Sequence, residues 1–257
     1  MRLAALQMQA TPGDVAANLA RIGAAAERAA AAGAALLVAP ELAVTGYGAG
    51  DAFDELAEPA EGAAVASLAE LAAATGVAIV AGFAERDGRS VYNSAVFADG
   101  RRRPTVYRKS HLYGPYERSH FAASPPQATL VEFSGLRLGM LICYDVEFPE
   151  NVRRLARAGA DAVLVPTALP TGPHAAFIAG SMIAVRAFEN QLFVAYANHA
   201  GADGRFAYAG RSVIAAPDGS LLAEAPATGE ALLLASIDRD AYRASALENT
   251  YLDDLQP

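Results

Sequence analysis

Residues 139–150, GMLICYDVEFPE, constrain the fold more than any other stretch, because an apolar run of strand length breaks at once into polar residues. The run reads as a buried strand, and Phe148-Pro149-Glu150-Asn151 reads as a helix start with proline near its first turn. A buried strand feeding a helix through a short elbow is an α/β device. Cys143, the only cysteine of the 257 residues, sits on that elbow. There a thiol is held rigidly, and the N–H groups that follow, beginning with Tyr144, can face developing negative charge. Beside Met140, Leu141 and Ile142 a lone cysteine can equally be a small buried hydrophobe, so the rest of the chain has to decide.

Strand-length apolar runs alternate with alanine-rich helical stretches. Strands are expected over residues 2–8, 35–39 and 77–83, with helices over 18–32 and 62–75 between them. The pattern then changes to an antiparallel pair, 91–97 and 105–109, joined through the Asp99-Gly100 turn. Residues 110–126 show no periodicity and read as an ordered polar loop. Strands near 129–133 and 136–142 lead to the elbow. A helix over about 149–158, a strand over 162–166, a helix over roughly 175–189 and a strand over 192–198 follow. A hairpin over 211–223 around Pro217-Asp218-Gly219 and a strand over 231–237 complete the chain. Meanders embedded in βα units suit two mixed sheets face to face with helices outside better than one doubly wound sheet, and the length suits one domain over 1–257.

Composition removes several classes of function. No apolar run is long enough to span a bilayer, and the first residues lack the apolar stretch and cleavage site of a signal peptide, so a cytoplasmic protein is expected. A formal charge of -8 argues against nucleic-acid binding. Arg101, Arg102 and Arg103, the only basic cluster, read as decoration of a hairpin. The four histidines, His111, His120, His174 and His199, have no metal-ligand spacing, and a metal site is not expected. A Gly-rich run, residues 46–50, lacks dinucleotide-binding spacing and reads as a flexible turn. A cysteine–histidine dyad with His111 or His199 as base remains open at this level.

A better-fitting set lies on three loops that each follow a strand: Glu41 after Val38-Ala39-Pro40, Lys109 after Tyr107-Arg108, and Cys143 after Leu141-Ile142. Each alone reads as a cap, a solvated cation or a buried hydrophobe. Together they supply a base for the thiol, a cation for the thiolate or a developing oxyanion, and a nucleophile.

These three regions, Pro40-Glu41 with Gly46-Tyr47, Tyr107-Arg108-Lys109 with His111-Leu112, and Ile142-Cys143-Tyr144-Asp145 with Phe148-Pro149-Glu150, resemble the signature regions of the nitrilase superfamily of carbon-nitrogen hydrolases. The resemblance spans essentially the whole chain. It implies a four-layer αββα fold, a triad of Glu41 as general base, Lys109 as electrostatic stabiliser and Cys143 as nucleophile, and a second glutamate, Glu117, that orients the lysine. It implies no metal and no organic cofactor. True nitrilases typically carry tryptophan after the cysteine; here Tyr144 stands there and the chain has no tryptophan, which favours amides over nitriles. Residues 143–155 with 165–168, 186–191 and 195–198 are similar to aliphatic amidases of the 5-aminopentanamidase type and to bacterial stereoselective amidases.

The expected function is hydrolysis of small primary carboxamides through a thioester, with an ω-amino amide such as 5-aminopentanamide a candidate substrate. The alternatives are an N-carbamoyl amine or acid hydrolase on the same residues, or a catalytically silent binding protein. Tyr47, Tyr113, Glu147 and Thr167 lie near the catalytic loops and are candidates for the pocket. The resemblance also implies a homodimer or higher oligomer, assembled through helices over about 149–158 and 175–189. No nucleic acid or membrane partner is expected.

Overall fold

The structure, a computed structural model, describes residues 1–256. The first half of the chain builds one sheet from β1 (Arg2–Gln7), β2 (Leu36–Val38), β3 (Ala78–Asp87), β4 (Ser90–Ala98) and β5 (Thr105–Arg108), with helices α1 (Val15–Ala31), α2 (Phe53–Leu56), α3 (Ala63–Thr75) and α4 (Gly114–His120). The second half builds another from β6 (Leu130–Phe133), β7 (Leu136–Met140), β8 (Ala162–Thr167), β9 (Phe193–Asn198), β10 (Val213–Ala215) and β11 (Leu221–Glu224). Its helices are α5 (Pro149–Arg157) and α6 (Ile183–Phe188), and the chain returns through β12 (Ala231–Ser236) to the first sheet before α7 (Arg243–Glu248).

Both sheets have six strands, in the orders β12-β1-β2-β3-β4-β5 and β11-β10-β9-β8-β7-β6. Each is mixed: β1, β2 and β3 run parallel, as do β7, β8 and β9, while the outer pairs are antiparallel. Alternation along β1 shows how the layers are made. Leu3 and Ala5 join the core shared with Val163, Val165, Val194 and Tyr196 of the second sheet. Ala4 and Leu6 point the other way and pack with Ile22, Ala25 and Ala29 of α1 and Leu68 and Ala72 of α3. Alanine on the buried faces of α1 and α3 lets these helices lie close to the sheet. On the far side Val152 and Leu155 of α5 and Ile183 and Ala187 of α6 cover the second sheet. The result is the expected αββα sandwich.

Several local readings change. Helix α1 begins at Val15 rather than residue 18, because Asp14 caps it by accepting the Ala17 N–H at 3.0 Å. Strand β3 continues to Asp87, since its antiparallel partner β4 pairs with it from Ile79–Ala98 to Asp87–Ser90. The polar loop over 110–126 contains α4, which has proline in its first turn. The expected helix over 175–189 opens as a π-helical turn, Phe177–Met182, before α6. Residues 46–50 are packed rather than flexible: Tyr47 is buried in a 3₁₀ turn, and Gly46 has φ +76° with Pro12 so close that a Cβ would lie 2.7 Å from its Cα. Arg102 folds onto Asp99 at 2.8 Å, as a hairpin residue does. No helix among the described residues is long and apolar enough to cross a membrane.

Candidate active site

The site forms where strand ends of the two sheets meet. Glu41 follows β2, Lys109 follows β5, and Cys143 opens a 3₁₀ turn, Cys143–Glu147, between β7 and α5. The strand before the cysteine therefore ends earlier than the sequence suggests, and the elbow contains an extra turn. The Glu41 N–H reaches the Thr167 carbonyl at 3.4 Å, a direct link from the end of β2 to the end of β8. Two non-glycine residues here have left-handed backbone, Leu42 at φ +48° and Cys143 at φ +44°, a conformation retained only where the surroundings enforce it.

Gly82 explains how the Glu41 loop fits. A Cβ at this position in β3 would collide with the Leu42 nitrogen and lie 2.7 Å from the Glu41 Cα. The bare strand instead bonds the loop directly, Gly82 N–H to the Pro40 carbonyl at 3.0 Å and Val44 N–H to the Gly82 carbonyl at 3.1 Å.

At the centre the Lys109 ammonium lies 2.6 Å from Glu41 Oε1 and 2.7 Å from Glu117 Oε1, with all three side chains fully buried. Asn93 donates to Glu41 Oε1 at 2.7 Å. Tyr47 Oη donates to Glu117 Oε1 at 2.8 Å, and the Tyr113 N–H donates to Glu117 Oε2 at 2.8 Å. Of the four carboxylate oxygens of Glu41 and Glu117, only Glu41 Oε2 has no hydrogen-bond partner among the described residues. Lys109 has three donors and spends two on these carboxylates, so one remains.

Electrostatics set the resting protonation. Burial pushes Glu41 up to about 7, with the Lys109 ammonium opposing and Glu117 adding to the rise. Burial pulls the Lys109 ammonium down, but Glu117 and Glu41 outweigh it and hold the lysine charged. The Cys143 thiol lies well above its ordinary value because burial and the Glu41 charge outweigh Lys109. The cysteine thus rests as a neutral thiol and needs a base to become a nucleophile.

The other sequence candidates separate. Tyr113 and Glu147 line a cavity of about 390 Å³ together with Cys143, Tyr144 and Leu169. Tyr144 occupies the second position of the 3₁₀ turn, where helical N–H groups lack an acceptor in a preceding turn. Tyr47 is a wall of a smaller apolar cavity of about 180 Å³, with Tyr116, Phe206 and Tyr208. Thr167 lines neither cavity: it is fully buried, and its hydroxyl turns back to the Val165 carbonyl at 3.0 Å. Neither histidine acts on the thiol. His199 Nε2 lies 2.7 Å from the Glu41 carbonyl, and His111 stacks on Phe148 at 3.9 Å with Nδ1 beside Asp145. A larger cavity, about 920 Å³, lies away from these residues among Arg137, Asp161 and Arg239 and is lined by none of Glu41, Lys109 and Cys143.

Sequence reasoning missed Asn93, which donates to Glu41, and Pro170, which lines both cavities beside the cysteine. Asn93 left a signal, a polar residue inside an otherwise apolar strand pattern; Pro170 left none.

The Carbon-nitrogen hydrolase family pattern matches residues 2–246. A protein named "Hydrolase in pqqF 5'region" from Pseudomonas protegens is 45% identical over 263 residues, covering 100% of this chain and 90% of its own. An (R)-stereoselective amidase from a Pseudomonas species is 36% identical over 258 residues, covering 99% of this chain and 91% of its own. A solved mutant of an amidase from Nesterenkonia sp. AN1, with the acetamide moiety of fluoroacetamide covalently added at its active-site cysteine, superposes with a TM-score of 0.89. It is 35% identical, over 100% of this chain and 94% of that one.

The Gly82 contact carries a prediction. Gly82→Ala is expected to move the Glu41 loop and slow alkylation of Cys143 by iodoacetamide, with the protein still folded. An unchanged alkylation rate would show that the loop tolerates a side chain in that strand.

Proposed function

The chain belongs to the carbon-nitrogen hydrolase family, and we propose that it hydrolyses small primary carboxamides to carboxylic acid and ammonia through a thioester on Cys143. The observation that carries this reading is a buried ammonium shared by two buried carboxylates, with a neutral thiol in the same site. In the proposed reaction Glu41 takes the thiol proton as sulfur bonds to the amide carbon, and the carbonyl electron pair moves to oxygen. The remaining donor of Lys109 and the Tyr144 N–H hold that oxyanion. When the carbonyl re-forms, the C–N bond breaks and protonated Glu41 gives its proton to the departing nitrogen, releasing ammonia. Glu41 then deprotonates the water that attacks the thioester, and the proton returns to the sulfur leaving group. Glu117 holds Lys109 in place throughout. The covalent cysteine adduct of the Nesterenkonia amidase supports the same position for the nucleophile.

Glu147 supports a narrower substrate class, amides carrying a cationic group, such as ω-amino amides. It lines the cavity beside Cys143, its carboxylate has no hydrogen-bond partner among the described residues, and burial holds its pKa above the ordinary value, against Lys109 and Arg186. A desolvated carboxylate of this kind is relieved by a substrate ammonium.

Self-association is also proposed. Phe177 and Val185 are 60% and 49% exposed on the helical segment of the π turn and α6, an apolar face on the outer layer.

Four outcomes follow. Cys143→Ala is expected to lose several orders of magnitude in turnover while remaining folded, and intact-mass spectrometry of the parent under substrate should show an acyl adduct at Cys143. Because Glu41 must be ionised to take the thiol proton, kcat/KM should rise with pH through an apparent pKa of about 7. Full turnover by the alanine variant, or a flat profile across that range, would remove this assignment. Against a panel of amides, carbamoyl compounds and nitriles, 5-aminopentanamide should exceed hexanamide in kcat/KM, and Glu147→Gln should erase the difference. Preference for hexanamide in the parent removes the cationic substrate, and carbon dioxide released with ammonia would instead mark a carbamoyl hydrolase. Light scattering should find a particle of at least two chains; a monomer with full activity would refute assembly.

A further inference from the structure

Two residues beyond Cys143, Asp145 is fully buried, and its carboxylate gathers donors from both reactive segments. Oδ1 accepts the Ser110 hydroxyl at 2.7 Å and the His111 N–H at 2.8 Å, with His111 Nδ1 at 3.0 Å. Oδ2 accepts the Tyr107 hydroxyl at 2.9 Å and the Ile142 N–H at 3.3 Å. Tyr107, Ser110 and His111 flank Lys109 on the strand end of the first sheet. Ile142 immediately precedes Cys143 on the second.

We infer that Asp145 is a positioning residue that holds Lys109 in register with Cys143 across the two sheets. Asn151 also spans the two segments, its Nδ2 lying 2.9 Å from the Asp145 carbonyl and 3.1 Å from His111 Nδ1, but among the described residues only the Asp145 side chain hydrogen-bonds Tyr107 and Ser110 on the lysine segment and the Ile142 N–H beside Cys143. The cysteine end is independently stiff: Asp145 N–H bonds the Ile142 carbonyl at 3.0 Å, and Asn151 Nδ2 donates to the Asp145 carbonyl at 2.9 Å. The His111 ring stacks on Phe148, which opens α5, and so adds an apolar crossing between the two segments. The carboxylate is the hydrogen-bonded joint at this crossing, and it is the part that reaches the backbone just ahead of the thiol. It also keeps Cys143 at φ +44°, since the bond from Ile142 N–H fixes the backbone just ahead of the thiol.

Charge type matters here. A carboxylate offers about four lone-pair directions and no donor, matching this crowd of donors, whereas a carboxamide of the same shape would turn an NH₂ group toward two of them. Ser110, His111 and Asp145 are not a relay of the serine-hydrolase kind, because the serine and the carboxylate both meet the same ring nitrogen, Nδ1. Asp145 also lines neither cavity beside the cysteine. Its loss should therefore act on turnover and not on substrate affinity.

The inference rests on the amidase reading with Cys143 as nucleophile, so the experiment includes Cys143→Ala beside Asp145→Asn and the double variant Tyr107→Phe with Ser110→Ala. Steady-state kinetics on a short aliphatic amide, the iodoacetamide alkylation rate of Cys143 and the melting temperature are measured for each. A misalignment approaching 1 Å is expected to lower kcat about a hundredfold in Asp145→Asn with KM nearly unchanged, and to slow alkylation in parallel. The double variant keeps the carboxylate and cuts two of its bonds to the lysine side, for an expected loss of about tenfold in kcat.

If Asp145→Asn does not fold, the double variant decides by the same criterion. A folded Asp145→Asn, or failing that the double variant, with kcat within about twofold of the parent overturns the inference, as does a loss confined to KM. Turnover retained by Cys143→Ala would instead overturn the amidase reading itself, and the positioning role with it.

Discussion

The ammonium of Lys109, closed off from water between Glu41 and Glu117, is the interaction on which the rest of the site depends. Removing three charged groups from water costs several kcal/mol for each ion in real proteins, and attraction offsets that only when the remaining donors and acceptors are satisfied. The fold recruits for this purpose from four places: Asn93 from β4, Tyr47 from the 3₁₀ turn, the Tyr113 backbone ahead of α4, and the lysine at the end of β5. These groups all come from the first sheet and its connections, and the second sheet contributes the cysteine. Replacing the lysine by a neutral side chain would leave two facing carboxylates without compensation, which is why the cluster is expected to be all or nothing.

The same cluster sets the chemistry. With both carboxylates ionised the buried group carries one excess negative charge, and burial first, with the Glu117 charge added, lifts the pKa of Glu41 to about 7 against the Lys109 ammonium. Burial, and the Glu41 charge after it, also work against a thiolate, so Cys143 rests protonated despite the lysine beside it. A cysteine made reactive by a lowered pKa would require the opposite balance. Here the arrangement favours proton transfer coupled to attack, and a carboxyl near neutrality is suited both to taking that proton and to returning it.

The sequence disclosed the framework and the residues that the structure gathers at the candidate site because both obey short-range rules. Glu41, Lys109 and Cys143 each interrupt an apolar strand pattern at its end, and that interruption is visible without knowing where the strands pack. What it did not disclose was long-range or conformational. Thr167 looked like a pocket residue by its place at the end of β8, yet its hydroxyl bonds Val165 and the wall passes to Leu169 and Pro170. Helix α4 was hidden because its first turn holds glycine and proline and its periodicity is too short to register. The π turn before α6 could not be told from α-helix, because the same residues face inward in both. Asn93 becomes intelligible only once Glu41 is placed opposite it.

Gly82 and the left-handed residues Leu42 and Cys143 belong together in one further step. Reactive groups on strand ends must leave the sheet sharply, and a non-glycine residue at positive φ is an expensive way to do so. Glycine at those positions would relieve the strain but would surrender the nucleophile at one and a fully buried side chain at the other. The chain instead puts the glycine on the opposing strand, where Gly82 lets the Glu41 loop lie directly on β3 and bond it through backbone alone. At the cysteine the equivalent support is a hydrogen-bonded carboxylate rather than a missing side chain. Two strained turns are thus stabilised by different means, one steric and one electrostatic, and the distance between their reactive groups is set by parts of the molecule that never touch the cavity.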